Sequence, residues 1–244
     1  MTSLPEIILK QNILDRITGI SGASVGTYAA RILVWLSCNS ACTSLHETAF
    51  SHKIINKEVL KQAGNSGFYL YGNHTHFLAD ALIPTLVNHP RETAVIVHPN
   101  NVSMPVLGRI TPYLGALPLP DDRGAMKHFL EALTWHTDHG DCIMIYPEAH
   151  IWPFYTGIRP FPDTSFRYPV QQKLPVFCLT NTYQRREKSH IPQIVTYLDG
   201  PFYPDAELPA KLQKTQLRDQ VYEAMGKRAQ NSNMEMIRYI KKDT

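Results

Sequence analysis

Four β-favouring residues, Phe68-Tyr69-Leu70-Tyr71, run into Gly72-Asn73, and His74, His76 and Asp80 follow almost at once. Aromatic and aliphatic side chains of this kind suit a buried, pleated surface, and Gly-Asn is a turn signal. The apolar residues around and after Asp80 can continue as a helix. A buried strand that ends in such a polar cluster holds side chains rigidly at the rim of a pocket. The stretch therefore asks for a sheet, and it raises the question of what else a His/Asp site draws from the chain.

At 244 residues the chain suits one α/β domain or two small ones with a sizeable core. Charged residues make up 18% and apolar ones 43%, which excludes an intrinsically disordered chain. The net charge of +3 suits an anionic surface or substrate, and no basic block points to nucleic acid. Cys38, Cys42, Cys142 and Cys178 lie at no zinc-finger or redox spacing, so they read as reduced, buried thiols. The first residues lack a secretory pattern, and no apolar run reaches the roughly 18 residues of a spanning helix.

Helix and strand signals alternate along the chain. Residues 5–18 and 24–38 predict two amphipathic helices, suited either to cap a core or to lie in a membrane interface. These form an N-terminal segment, 1–45, ahead of an α/β domain over 46–244. Within that domain the patterns predict helices over 57–63, 78–88 and 124–138, and strands over 68–71, 93–97, 141–146, 174–179 and 194–198. Residues 101–117 and 153–169 are broken by Pro and Gly and predict loops, while about 206–240 predicts a C-terminal helix. The expected architecture is α/β, with a mostly parallel central sheet flanked by helices.

An imidazole can take a proton from a hydroxyl near neutral pH, and a carboxylate that fixes its tautomer improves it. Asp80 stands six residues after His74 and four after His76, so either histidine can be that base, or one can simply cap the helix. Arg123 closes a loop ahead of a helix, where a guanidinium fork and free backbone N–H groups make a phosphate seat. Glu148 follows a strand and belongs at the same sheet edge as His74.

In order, Asn73-His74 with Asp80, Gly115-Ala116-Leu117-Pro118 with Arg123, Tyr146-Pro147-Glu148, and Leu174-Pro175-Val176-Phe177 resemble the glycerolipid acyltransferase family. Its best-known members are the 1-acylglycerol-3-phosphate acyltransferases, and the likeness runs from about residue 68 to 200. The resemblance implies that His74 is the general base and Asp80 its partner. It implies that Arg123 binds a glycerol phosphate, that Glu148 positions the acceptor, and that Asn73 and His76 contact substrate. It further implies no cofactor or metal, acyl-CoA or acyl-carrier protein as donor, a lysophospholipid or related acceptor, and peripheral attachment to the cytoplasmic face of a membrane.

The chain departs from the family pattern at two places. The family sets Asp five residues after its histidine, so one residue of the six-residue step here must bulge out. The third block normally reads Pro-Glu-Gly-Thr-Arg; here it reads Pro147-Glu148-Ala149-His150-Ile151, and Arg159 or His150 is the candidate to replace its arginine. Two other readings stand beside this one. His74 and His76, with His98, His150 or His190, could serve a metal-dependent hydrolase. A lipid-binding member of the fold that has lost catalysis is the other.

Overall fold

The computed structural model describes residues 51–77, 79–100, 115–187 and 189–241. Strand β1 (Lys53–Ile55) and a 3₁₀ helix (Lys57–Ala63) lead to β2 (Phe68–Gly72) and helix α1 (Ala79–Asn88). Next come β3 (Thr93–Val97), β4 (Ala116–Pro118), α2 (Arg123–Asp138) and β5 (Cys142–Ile145). A short 3₁₀ turn (Thr164–Phe166) opens into α3 (Arg167–Gln172), followed by β6 (Val176–Arg186), β7 (Ser189–Phe202) and α4 (Ala210–Ala229).

Seven strands form one sheet in the order β1-β7-β6-β2-β5-β3-β4. Every neighbouring pair is parallel except the β6–β7 hairpin. This is the α/β architecture expected from the alternating pattern. All five residues of β2 are buried, as a strand covered on both faces requires. Its side chains alternate between two cores. Phe68 and Leu70 pack with Val59 of the first 3₁₀ helix and Ile83 of α1. Tyr69 and Tyr71 pack with Phe129 of α2, Phe166, and Leu217 and Val221 of α4. The sheet is thus sandwiched, with β2 near its middle and the ends of β2 and β5 at one edge.

Several boundaries differ from expectation, each for a physical reason. β6 continues past Leu179 through Thr180-Asn181-Thr182, polar residues that are buried and paired against β7. The chain around residue 117 contains β4, whose three residues pair with β3 in spite of the surrounding Pro and Gly. The C-terminal helix stops at Ala229. Beyond it, Ser232 Oγ accepts from the backbone N–H of Tyr183, and Asn233 Oδ1 accepts from that of Arg185, so the tail is tied to β6. Residues 167–172, partly inside the expected loop, form α3. The two N-terminal helices, the boundary at 45/46 and residues 101–114 of the apolar block 101–117 lie outside the described residues.

Cys142 and Cys178 are free and buried, and burial pushes both thiols well up. Among the described residues no helix is long and apolar enough to cross a membrane.

Truncating Phe129 to Ala, which empties a fully buried ring site between α2 and the sheet, should cost about 3–5 kcal/mol in denaturant unfolding. Phe77→Ala, at a side chain 78% exposed, should cost under about 0.5 kcal/mol.

Candidate active site

The loop after β2 can approach β5 closely because residue 72 lacks a side chain. A Cβ on Gly72 would lie 2.4 Å from the Met144 side chain and 3.0 Å from the Tyr146 ring. Asn73 then carries the pairing with β6 one step further through its side chain. Its Nδ2 donates to the Asn181 carbonyl (3.0 Å), and its Oδ1 accepts from the Asn181 N–H (2.8 Å). With 1% exposure, Asn73 faces the sheet. Asn73 thereby positions the loop against β6.

Asp80 gathers the loop around itself. Its Oδ2 accepts from His74 Nδ1 (2.9 Å) and from the backbone N–H groups of Thr75 (2.7 Å) and His76 (2.9 Å). Its Oδ1 accepts from Asn181 Nδ2 (3.0 Å). Asp80 is 1% exposed, and burying a carboxylate without such donors is prohibitively costly. Because an ionised carboxylate only accepts, Nδ1 of His74 carries the proton, and the lone pair lies on Nε2. The imidazole retains 19% exposure and stacks on the Tyr146 ring at 4.4 Å. A protein-fixed tautomer on a partly exposed ring, with no partner for Nε2 among the described residues, is what a general base needs.

His76 is held differently. Its Nδ1 accepts from the Ala79 N–H (3.1 Å), and its carbonyl accepts from the Asp80 N–H (3.0 Å), so His76 caps α1. Asp80 returns the bond to the His76 N–H, a reciprocal arrangement like a capping box. Burial holds the His76 imidazole below its usual pKa, outweighing the attraction of Asp80. The six-residue step is absorbed in the turn at Phe77, whose ring points to solvent.

Pro84 lies inside α1 and has no N–H to offer the carbonyl four residues earlier, that of Asp80. Tyr146 Oη donates to that carbonyl instead, at 2.5 Å. Burial, then the charge of Asp80, pushes the Tyr146 phenol well up, so it stays protonated and keeps donating.

The arm after β5 grips the other side of the loop. Glu148 Oε2 accepts from the His74 N–H (3.1 Å), while Trp152 and Phe154 donate their N–H groups to the carbonyls of His74 and Thr75. Arg159 closes on Glu148, with Nη2 on Oε2 (2.9 Å) and its backbone N–H on Oε1 (2.8 Å). Arg159 Nη2 also donates to the His150 carbonyl, and the guanidinium lies 4.9 Å from the Trp152 ring centre. Arg159 rather than the His150 ring therefore meets Glu148. Ala149 adopts φ 65°, a left-handed conformation that costs a non-glycine residue about 1–2 kcal/mol.

Arg123 opens α2 and is exposed. Asp122 already caps that helix by accepting from the Ala125 N–H at 2.7 Å, so a carboxylate shares the end expected to seat a phosphate. β4 lies three strands from β2 in the sheet, about 14 Å at the usual interstrand spacing. Arg123 lines a groove of about 780 Å³ along the outer face of α2 with Met126, Leu130 and Trp135. No residue of the His74 cluster lines it.

Four contributors carried no expected role: Asn181, Thr196, Tyr146 and Tyr183. Tyr183 Oη donates to the Thr75 hydroxyl and carbonyl at 2.9 and 3.0 Å. Asn181 and Tyr183 lie past the expected end of their strand, Thr196 is one polar residue inside an expected strand, and Tyr146 stood only as the residue ahead of Pro147-Glu148. Among the described residues no three His, Cys, Asp or Glu side chains converge as metal ligands. Nδ1 of both His74 and His76 is engaged within the loop.

The fold is similar to that of the crystal structure of the 1-acyl-sn-glycerophosphate (LPA) acyltransferase PlsC from Thermotoga maritima. The TM-score is 0.57 at 14% sequence identity, over 93% of this chain and 91% of that one. No family model matches the sequence. No curated protein matches it either. The likeness is one of fold.

His76→Ala should lower stability by about 1 kcal/mol at pH 7.5, with His76→Asn restoring most of it in thermal unfolding. Because the folded pKa of His76 lies below the usual 6.5, its contribution is present above that pH and fades as pH falls through the lowered value. The wild type should thus lose more stability than His76→Asn on going to acid. Tyr146→Phe should cost about 1–3 kcal/mol by orphaning the Asp80 carbonyl. Adding Pro84→Ala restores an N–H there, so the double-mutant cycle should show favourable coupling.

Proposed function

We propose that this protein is an acyltransferase that moves a fatty acyl group from an acyl thioester to a hydroxyl of a lysophospholipid or related acceptor. One observation carries the reading: His74 Nδ1 is bonded to the buried carboxylate of Asp80 at 2.9 Å. The shared fold with the Thermotoga maritima enzyme supports it, and its named substrate makes 1-acylglycerol-3-phosphate the first acceptor to try.

In the proposed reaction, Nε2 of His74 takes the acceptor hydroxyl proton as that oxygen attacks the thioester carbonyl. The new C–O bond forms, the C–S bond breaks, and the thiolate takes the proton back from the imidazolium. Asp80 stabilises the transient imidazolium and preserves the tautomer. Tyr146 keeps the ring from rotating by stacking on it. Glu148, locked by Arg159, fixes the backbone at His74. Arg123 would meet the acceptor phosphate at the far end of the sheet edge, and acyl-CoA or acyl-carrier protein would supply the acyl group. The exposed Phe77 ring beside the site and the mildly basic balance support a peripheral position on the cytoplasmic face of a membrane.

The test is acceptor profiling with a labelled acyl donor. His74→Ala should reduce turnover by about 10²–10⁴-fold while the protein remains folded. Activity that survives His74→Ala but disappears in His76→Ala would overturn the assignment.

A further inference from the structure

The Asp80 carboxylate is the end point of a line of hydrogen bonds that crosses two strands. Asn181 and Thr196 stand directly opposite each other in the β6–β7 pairing, and both are buried. Thr196 Oγ1 lies 2.6 Å from Asn181 Oδ1, and His52 Nε2 lies 2.8 Å from Thr196 Oγ1. We propose that Asn181 and Thr196 are positioning residues for Asp80, and that with His52 they form a one-way line of donors ending on its Oδ1.

The direction follows from one end. The carboxylate can only accept, so the amide nitrogen of Asn181 faces it and the amide oxygen faces Thr196. That oxygen needs a donor, so the Thr196 hydroxyl proton points to Asn181. Thr196 can then only accept from His52, whose Nε2 must carry a proton. Without Asn181, Oδ1 would have no side-chain donor among the described residues, and the carboxylate could rotate and turn its other oxygen away from His74. With it, Oδ2 is held toward His74 Nδ1 and the two backbone N–H groups. The backbone of Asn181 is separately fixed by Asn73, so a side-chain change at 181 leaves the strand pairing in place.

This proposal rests on the reading of His74 as the base, and its test separates the two. In the full chain, Thr196→Val removes the hydroxyl while keeping its shape, Asn181→Ala removes the amide, and Thr196→Ser returns the hydroxyl. Thr196→Val and Asn181→Ala should lower kcat by roughly 10- to 100-fold, the rate equivalent of a hydrogen bond to a charged group, with KM unchanged. Thr196→Ser should recover the lost rate. In NMR of histidine-labelled protein, the His74 Nδ1–H signal, identified by its loss in His74→Ala, should shift or vanish in the first two variants and return in the third. A folded Thr196→Val protein with the His74 signal unmoved overturns the proposal, as does a loss expressed only in KM. If the wild type transfers no acyl group, the functional reading fails, and the NMR comparison still decides the positioning role.

Discussion

A carboxylate buried to 1% exposure has to be surrounded by donors, and at Asp80 that requirement organises half of the fold. Three of its partners come from the loop after β2 and one from β6. The loop must therefore curl so that two successive N–H groups and an imidazole point inward. β6 must carry an amide at the register where Asp80 arrives. The same bonds that make the carboxylate tolerable also make the His74 tautomer unique. The contacts that stabilise the loop and those that fix the His74 tautomer are one set.

The second constraint comes from the opposite side. The arm after β5 donates two backbone N–H groups to the loop carbonyls and receives the His74 N–H on Glu148. Glu148 is itself buried, and Arg159 compensates its charge in a bidentate grip shared between backbone and side chain. Breaking such a pair by removing one member is costly, since it strands the other charge. The arm and the loop thus stand or fall together.

Much of this was legible in the residues. The β2 run and the alternation of elements follow from hydrophobic period and turn chemistry; spacing left His74 and His76 equal as partners of Asp80 until the family resemblance favoured His74, and Arg159 was already a candidate to replace the missing third-block arginine. The polar part of β6 was not legible, because the apolar pattern that marks the strand ends at Leu179 and Thr180-Asn181-Thr182 has no such signal. Cross-strand and cross-sheet bonds have no local signature: Asn181 and Thr196 are fifteen residues apart, and Tyr146 and Asp80 are sixty-six. The cap role of His76 was an open alternative, since a histidine next to a helix start serves equally well as a base or as a cap. What separated the two was geometry: one ring nitrogen bonded to a carboxylate, the other to a backbone N–H.

Pro84 makes helix α1 depend on a partner from elsewhere in the fold. Helix α1 arrives with one carbonyl it cannot satisfy from its own backbone, and the partner for that carbonyl is the Tyr146 hydroxyl just past β5. The helix is thus completed only when the fifth strand has docked beside the second. The ring that satisfies the helix is also the ring on which His74 rests, so one side chain ties the helix, the fifth strand and the His74 loop together.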